Sequence, residues 1–138
     1  MTVNDDLFVL CREASKGLSN EELNLSALFD GVGVQSFPET VGPMTLVGRI
    51  EVVGKEKDEA AVKLAIRLKT PSGKYVKLNN LKQEITLGLE DVDEQRAGFV
   101  ILIRGVEVAE EGKYIFELRH NNQTVDRTSF MVEKVVDK

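Results

Sequence analysis

With 138 residues and 42% hydrophobic content, the chain is the size of one ordinary domain and apolar enough to build a core without staples. Its 18 basic and 23 acidic side chains leave a net charge of −5, which repels a phosphate backbone unless the cations gather on one face, so nucleic acid is not the expected partner. The single cysteine, Cys11, has no mate for an internal disulfide, and the acidic start followed by the short apolar run Leu7 to Cys11 suits neither a secretory leader nor a membrane span. A single cytoplasmic domain with no membrane partner is expected over residues 1–138.

Taken in order, Leu7 to Glu13 is rich in strand formers, and Ala14 to Asn20 carries the Ser, Gly and Asn of a connection. Glu22 to Asp30 sets Leu23, Leu25, Ala27 and Phe29 on one face, with Leu28 breaking the pattern. Gly31 to Pro43 has no clear periodicity and reads as a long loop, either folded onto the core or functional. Met44 to Val53 alternates again, with Met44, Leu46, Ile50 and Val52 in register and Gly48 as a candidate bulge.

The cleanest alternation runs from Ala60 to Lys69: Val62, Leu64, Ile66 and Leu68 face in, and Lys63, Arg67 and Lys69 face out. Thr70-Pro71-Ser72-Gly73 has the residues of a type I turn, which predicts a hairpin partner at Lys74 to Leu78. Glu84 to Leu89 alternates through Ile85, Leu87 and Leu89. Phe99 to Ile103 is apolar on both faces and is expected as a central strand covered on both sides or packed beneath a loop. Tyr114, Phe116, Leu118 and His120 share one face of a strand that reverses at Asn121-Asn122-Gln123 into Thr124 to Val132. No interval shows helical spacing with start and stop signals. Eight or nine strands with one apolar face each predict an antiparallel two-sheet β-sandwich.

Two resemblances sharpen this. Glu110-Glu111-Gly112-Lys113-Tyr114-Ile115-Phe116 resembles the acidic-x-Gly-x-Tyr-x-Cys signature of strand F in immunoglobulin-like domains, with Phe116 at the cysteine position. The resemblance implies a tyrosine corner, the Tyr114 hydroxyl bonding back to the backbone near Val108 to Glu110. The order Leu7 to Cys11, Leu23-Asn24-Leu25, Leu28 to Val32, Phe37-Pro38, Leu46 to Glu51 and Gly112 to Phe116 is similar to a family of small bacterial β-sandwich domains of unknown function. That family has no assigned activity, so the resemblance supplies no catalytic residue.

Candidate chemistry is sparse. His120 is the only histidine, so it is the only imidazole base for a Ser-His-Asp or Cys-His mechanism, and its place among Tyr114, Phe116 and Leu118 suits a packed ring. Cys11 lies in an apolar run, where a thiol is inert. The acidic groups Asp30, Glu56 to Glu59 and Glu90 to Glu94 lack the regular spacing of a calcium loop. Lys74, Lys77 and Lys82 around Tyr75 form a basic patch with one aromatic, too little for single-stranded nucleic acid. No phosphate loop, dinucleotide fingerprint or zinc spacing occurs, and no cofactor is implied.

The expected function is therefore a non-enzymatic binding module, with another protein or a second copy as partner through a sheet face or an edge such as Lys74 to Leu78. Val34, Phe37 and Pro38 in the long loop are the candidate partner-binding residues, with Phe37 as anchor. The alternatives are a small enzyme using carboxylates such as Asp30 and Glu51, a calcium- or ligand-binding sandwich, and a ligand-carrying barrel.

Overall fold

The computed structural model describes residues 1–16, 23–56, 58–76 and 84–135. Along them run twelve strands: β1 (Thr2–Lys16), β2 (Leu23–Leu28), β3 (Gly31–Val34), β4 (Glu39–Val41), β5 (Met44–Val53), β6 (Ala61–Lys69), β7 (Tyr75–Val76), β8 (Glu84–Gly88), β9 (Glu94–Ile103), β10 (Val106–Val108), β11 (Gly112–His120) and β12 (Gln123–Lys134). The count exceeds eight or nine chiefly because the 31–43 segment, read from sequence as a long loop, contributes β3 and β4. Their partners lie far along the chain: β3 runs parallel to β12, and β4 pairs with β10. No local alternation announces strands this short.

Two sheets form the sandwich. One has the order β2-β1-β5-β9; the other has β3-β12-β11-β6, with β7 and β8 both paired to the far edge of β6. In the first sheet β1, β5 and β9 stand as strands A, B and E of an immunoglobulin-like sandwich, and in the second β6, β11 and β12 stand as C, F and G. The arrangement is immunoglobulin-like, all-β and antiparallel apart from the β3–β12 pair.

The inner faces meet in one core. Phe8, Leu10, Leu46, Ile50 and Phe99 of the first sheet lie against Val62, Leu64, Ile66, Leu68, Phe116 and Leu118 of the second. Phe130 sits among aromatic neighbours, stacked on Tyr114 at 5.4 Å and meeting the Phe29 edge at 5.7 Å. The tyrosine corner forms as the strand F resemblance implied. The Tyr114 hydroxyl donates to the Glu110 carbonyl at 2.9 Å and accepts from the Glu110 amide at 3.3 Å.

Turn chemistry closes the hairpins. Gly73 N–H donates to the Thr70 carbonyl at 2.9 Å, and Gly73 takes the left-handed backbone (φ 89°) that a Cβ disfavours. The β11–β12 reversal is a two-residue turn, Asn121-Asn122, with φ 50° and 64°. Gln123, expected in the turn, is the first residue of β12 and pairs with His120.

Two local expectations change. Gly48 is no bulge: it pairs in register with Phe8 on one side and Phe99 on the other, and the Phe99 ring covers its α-carbon. The irregularity falls at Asp6, between the Asp5–Ile50 and Leu7–Arg49 pairs. That extra residue switches which side chains point inward, from Val3 to Phe8 and Leu10. The Ala14–Asn20 connection likewise begins later, because β1 continues to Lys16; residues 17–20 lie outside the described residues.

Candidate functional site

The register of the first sheet fixes what its outer face displays. Residues opposite one another on neighbouring antiparallel strands share a side, so the pairs generate rows across the face. The top row is Leu28, Cys11, Thr45 and Leu102; the next is Val9, Val47 and Val100; the third is Leu7, Arg49 and Gly98. Cys11 and Val47 are buried yet stand apart from the inter-sheet core, as side chains of the opposite face must. Leu28 and Leu102, at the two ends of the top row, are 64% and 56% exposed.

The face is therefore apolar along its upper half, with a large leucine standing into solvent at each flank. Below, Asp6 pairs with Arg49 and lies 3.9 Å from Arg96, while Glu51, Glu94 and Gln95 line a shallow recess with Arg96. The Cys11 thiol donates to the Thr45 carbonyl at 3.7 Å, and burial raises its pKa, so the thiol form dominates.

This geometry overturns the reading of Phe99 to Ile103 as a central strand. β9 is the edge of its sheet, and Leu102 is exposed. The two-faced apolar signal in Leu7–Cys11 and Phe99–Ile103 was real, but only one of the two faces is inner core. The other is the outer face itself.

The outer face of the second sheet has a different character. Glu117 is flanked by Arg67 on β6 and Arg127 on β12, with Lys69, Lys113 and Arg119 on the same side. Glu117 is buried; its Oε1 accepts from the Tyr75 hydroxyl at 2.9 Å, and Arg127 Nε lies 3.7 Å from Oε2. That hydrogen bond raises the Tyr75 pKa, helped by desolvation and the Glu117 charge and opposed by Arg119 and Arg127. Cations are concentrated here around a buried carboxylate that has Arg127 beside it.

The residues singled out from sequence fall as follows. Val34 is buried in the core at the end of β3, Phe37 is half-buried against that core, and Pro38 is exposed before β4. Val34 thus closes the sandwich and offers a partner little surface. His120 ends β11, half-buried and paired with Gln123. Asp30 and Glu51 do not converge: Asp30 follows β2 near Met131, whereas Glu51 lies six residues along β5 from Thr45, about 20 Å at the strand rise.

The acidic turns are held by a cation of the chain. Buried Lys55 Nζ donates to the Glu56 carbonyl at 3.0 Å and meets Asp91 Oδ1 at 3.3 Å, tying together the two turns read as calcium candidates. Among the described residues no group of three or more His, Cys, Asp or Glu side chains is placed to hold a metal ion. Of the basic patch, Lys77 and Lys82 lie outside the described residues, as do 77–78 of the expected Lys74–Leu78 edge, which is seen as the short β7. Among the described residues no helix is long and apolar enough to cross a membrane.

An immunoglobulin-like β-sandwich with one apolar outer sheet face is the class that these observations define. The chain belongs to a family of unknown function (DUF6941), whose model matches residues 6–133. No curated protein matches it. Among solved structures it is similar to a β-glucosidase from Listeria innocua determined in complex with glucose: 16% identity, TM-score 0.47, over 96% of this chain and 17% of that one. It is also similar to an immunoglobulin-like protein from Pseudomonas aeruginosa, with 15% identity and TM-score 0.38 over 96% of this chain and 98% of the other.

Proposed function

We propose that the chain is a non-catalytic protein-interaction module that works through the outer face of the β2-β1-β5-β9 sheet. The observation that carries this reading is the pair of exposed leucines, Leu28 and Leu102, at the two ends of the top row, with the half-buried Val9 and Val100 in the row below. A solvated sheet face alternates apolar-in with polar-out, as β6 does with Lys63 and Arg67. β1, β5 and β9 break that rule together, at the same height, on one side.

Covering this face returns free energy. Burying what remains exposed of Leu28 and Leu102 is worth about 1–2 kcal/mol each by area, before the half-buried valines are counted. Apolar centres with a charged rim are the usual anatomy of protein interfaces, and here Asp6, Arg49, Glu51 and Arg96 supply the rim.

Affinity capture with the tagged chain tests the reading, comparing wild type with the Leu28→Asp/Leu102→Asp variant. Both sites are exposed, so the variant melts within a few degrees of wild type. A partner, whether a second copy or a foreign protein, is recovered by wild type and lost by the variant. Identical recovery by both contradicts the proposal.

A further inference from the structure

We infer that the outer face of the second sheet is a further binding surface, and that its partner is a short acidic segment of another protein, laid in extended form across β6, β11 and β12. The outer faces of a sandwich point in opposite directions, so this surface is separate from the leucine-flanked one and the inference goes beyond the reading above.

Register fixes the display here as well. One row holds Lys63 beside Thr86, the next holds Glu84, Ala65, Arg119 and Thr124, and the third holds Arg67, Glu117 and Arg127, after which Lys69 begins a fourth. Lys63 and Arg127 are exposed, and Arg67, Lys69 and Arg119 are half-buried, so five cations reach solvent against two carboxylates, of which Glu117 is buried. The chain as a whole carries −5, so its surplus of acid lies elsewhere and the charge is segregated.

Counter-charge is the second argument. Elsewhere the chain answers its own cations, Arg49 with Asp6 and Lys55 with Asp91. On this face Arg127 approaches Glu117, whereas Lys63, Lys69 and Arg119 have no carboxylate within ion-pair distance among the described residues. Arg119 stands diagonal to Arg67 across the β6–β11 pair, a like charge about 7–8 Å away. Its Nε is buried without an acceptor, and one terminal nitrogen reaches the Asn122 carbonyl at a long 3.4 Å. A carboxylate arriving at the terminal nitrogens supplies the missing counter-charge and relieves the repulsion.

The shape of the partner follows from the rows. Side chains on one face of a strand repeat about every 6.8 Å, so an extended segment with acidic residues at alternate positions sets one carboxylate over each row. A long polyanion such as nucleic acid runs past the face onto the acidic remainder of the chain and is repelled there, whereas a short segment is not. The contact covers the rows from Lys63 to Arg67; Lys69 adds its charge from the next row, and Tyr75 and Met131 lie beyond.

Fluorescence anisotropy on the full chain, with short fluorescein-labelled peptides, tests the inference. At about 0.1 M salt, where screening acts over about 10 Å, a Glu-Ser repeat binds wild type at least about tenfold more tightly than a Gln-Ser repeat of the same length, and at about 1 M salt the difference is lost. Lys63→Glu and Arg119→Glu each weaken binding of the Glu-Ser repeat about three- to tenfold. Lys63 is exposed, so Lys63→Glu melts within a few degrees of wild type and carries the test even where Arg119→Glu does not fold. Leu28→Asp/Leu102→Asp binds the peptide as wild type does, which separates this surface from the first.

Equal binding of the two peptides, or Glu-Ser binding that ignores Lys63→Glu and Arg119→Glu, overturns the inference. A single-stranded oligonucleotide of the same charge that binds more tightly than the Glu-Ser repeat overturns the acidic protein segment in favour of nucleic acid. Peptide binding that is lost in Leu28→Asp/Leu102→Asp overturns its placement on the second sheet.

Discussion

Replacing Gly48 by alanine is a sharp test of how the first sheet is assembled. Gly48 lies between Phe8 and Phe99 on neighbouring strands, and a Cβ there falls within the Phe99 ring. Phe99 is buried and meets Phe8 edge-on at 6.5 Å, so the ring has no free space into which to withdraw. Overpacking of this kind costs about 1–3 kcal/mol, and the entropy saved by removing a glycine returns about 0.4–1 kcal/mol.

A net loss of about 1–2 kcal/mol follows. Unfolding entropy of about 2.1 cal/mol/K per residue gives about 0.3 kcal/mol/K over 138 residues, so Tm falls by about 3–7 °C. Differential scanning calorimetry reads this directly. Gly88→Ala is the control, since a Cβ there meets nothing within 4 Å, and its Tm stays level or rises. Phe99→Leu introduced with Gly48→Ala recovers part of the loss by vacating the ring's place, a coupling that a double-mutant cycle measures. A Gly48→Ala variant as stable as wild type refutes the placement of Phe99 over β5.

Three further outcomes are expected. Tyr114→Phe removes both hydrogen bonds to Glu110 while keeping the stack on Phe130, and lowers stability by about 1–2 kcal/mol in urea unfolding. Tyr75 ionises later than a free tyrosine. Its pKa is raised, so its stabilising contribution is full below the unfolded value of about 10 and is lost as pH rises through the folded one. Tyr75→Phe therefore removes the late step from an ultraviolet titration. Cys11, fully buried with a raised pKa, reacts with a thiol reagent at pH 8 many-fold more slowly in the native chain than in denaturant.

Much of the sandwich was legible because period-two burial is local. Val62, Leu64, Ile66 and Leu68 are buried as their alternation required, and the Tyr114–Leu118 face turns inward with its corner in place. What escaped the sequence is set by pairing across distance. β3 finds β12 about a hundred residues away, and β9 is an edge only because no strand follows it in the sheet order.

The candidate surface was half-visible. Leu7–Cys11 and Phe99–Ile103 announced apolar side chains on both faces. Alternation tells which side chains avoid water, not whether a second layer of the same chain or another molecule excludes it. Phe37, chosen for its irregular loop, is half-buried against the core, because that loop is tied down by β3 and β4.

Hydroxyl-radical footprinting of the chain alone and of the complex recovered by affinity capture addresses the central claim most directly. Leu28 and Leu102 on one face, and Tyr75 and Met131 on the other, are exposed to similar degrees at 64%, 56%, 52% and 41% in the single chain. Labelling of Leu28 and Leu102 falls as the protein associates, while that of Tyr75 and Met131 holds constant. Protection of Tyr75 and Met131, or labelling of all four that is the same in the complex as in the chain alone, contradicts the account.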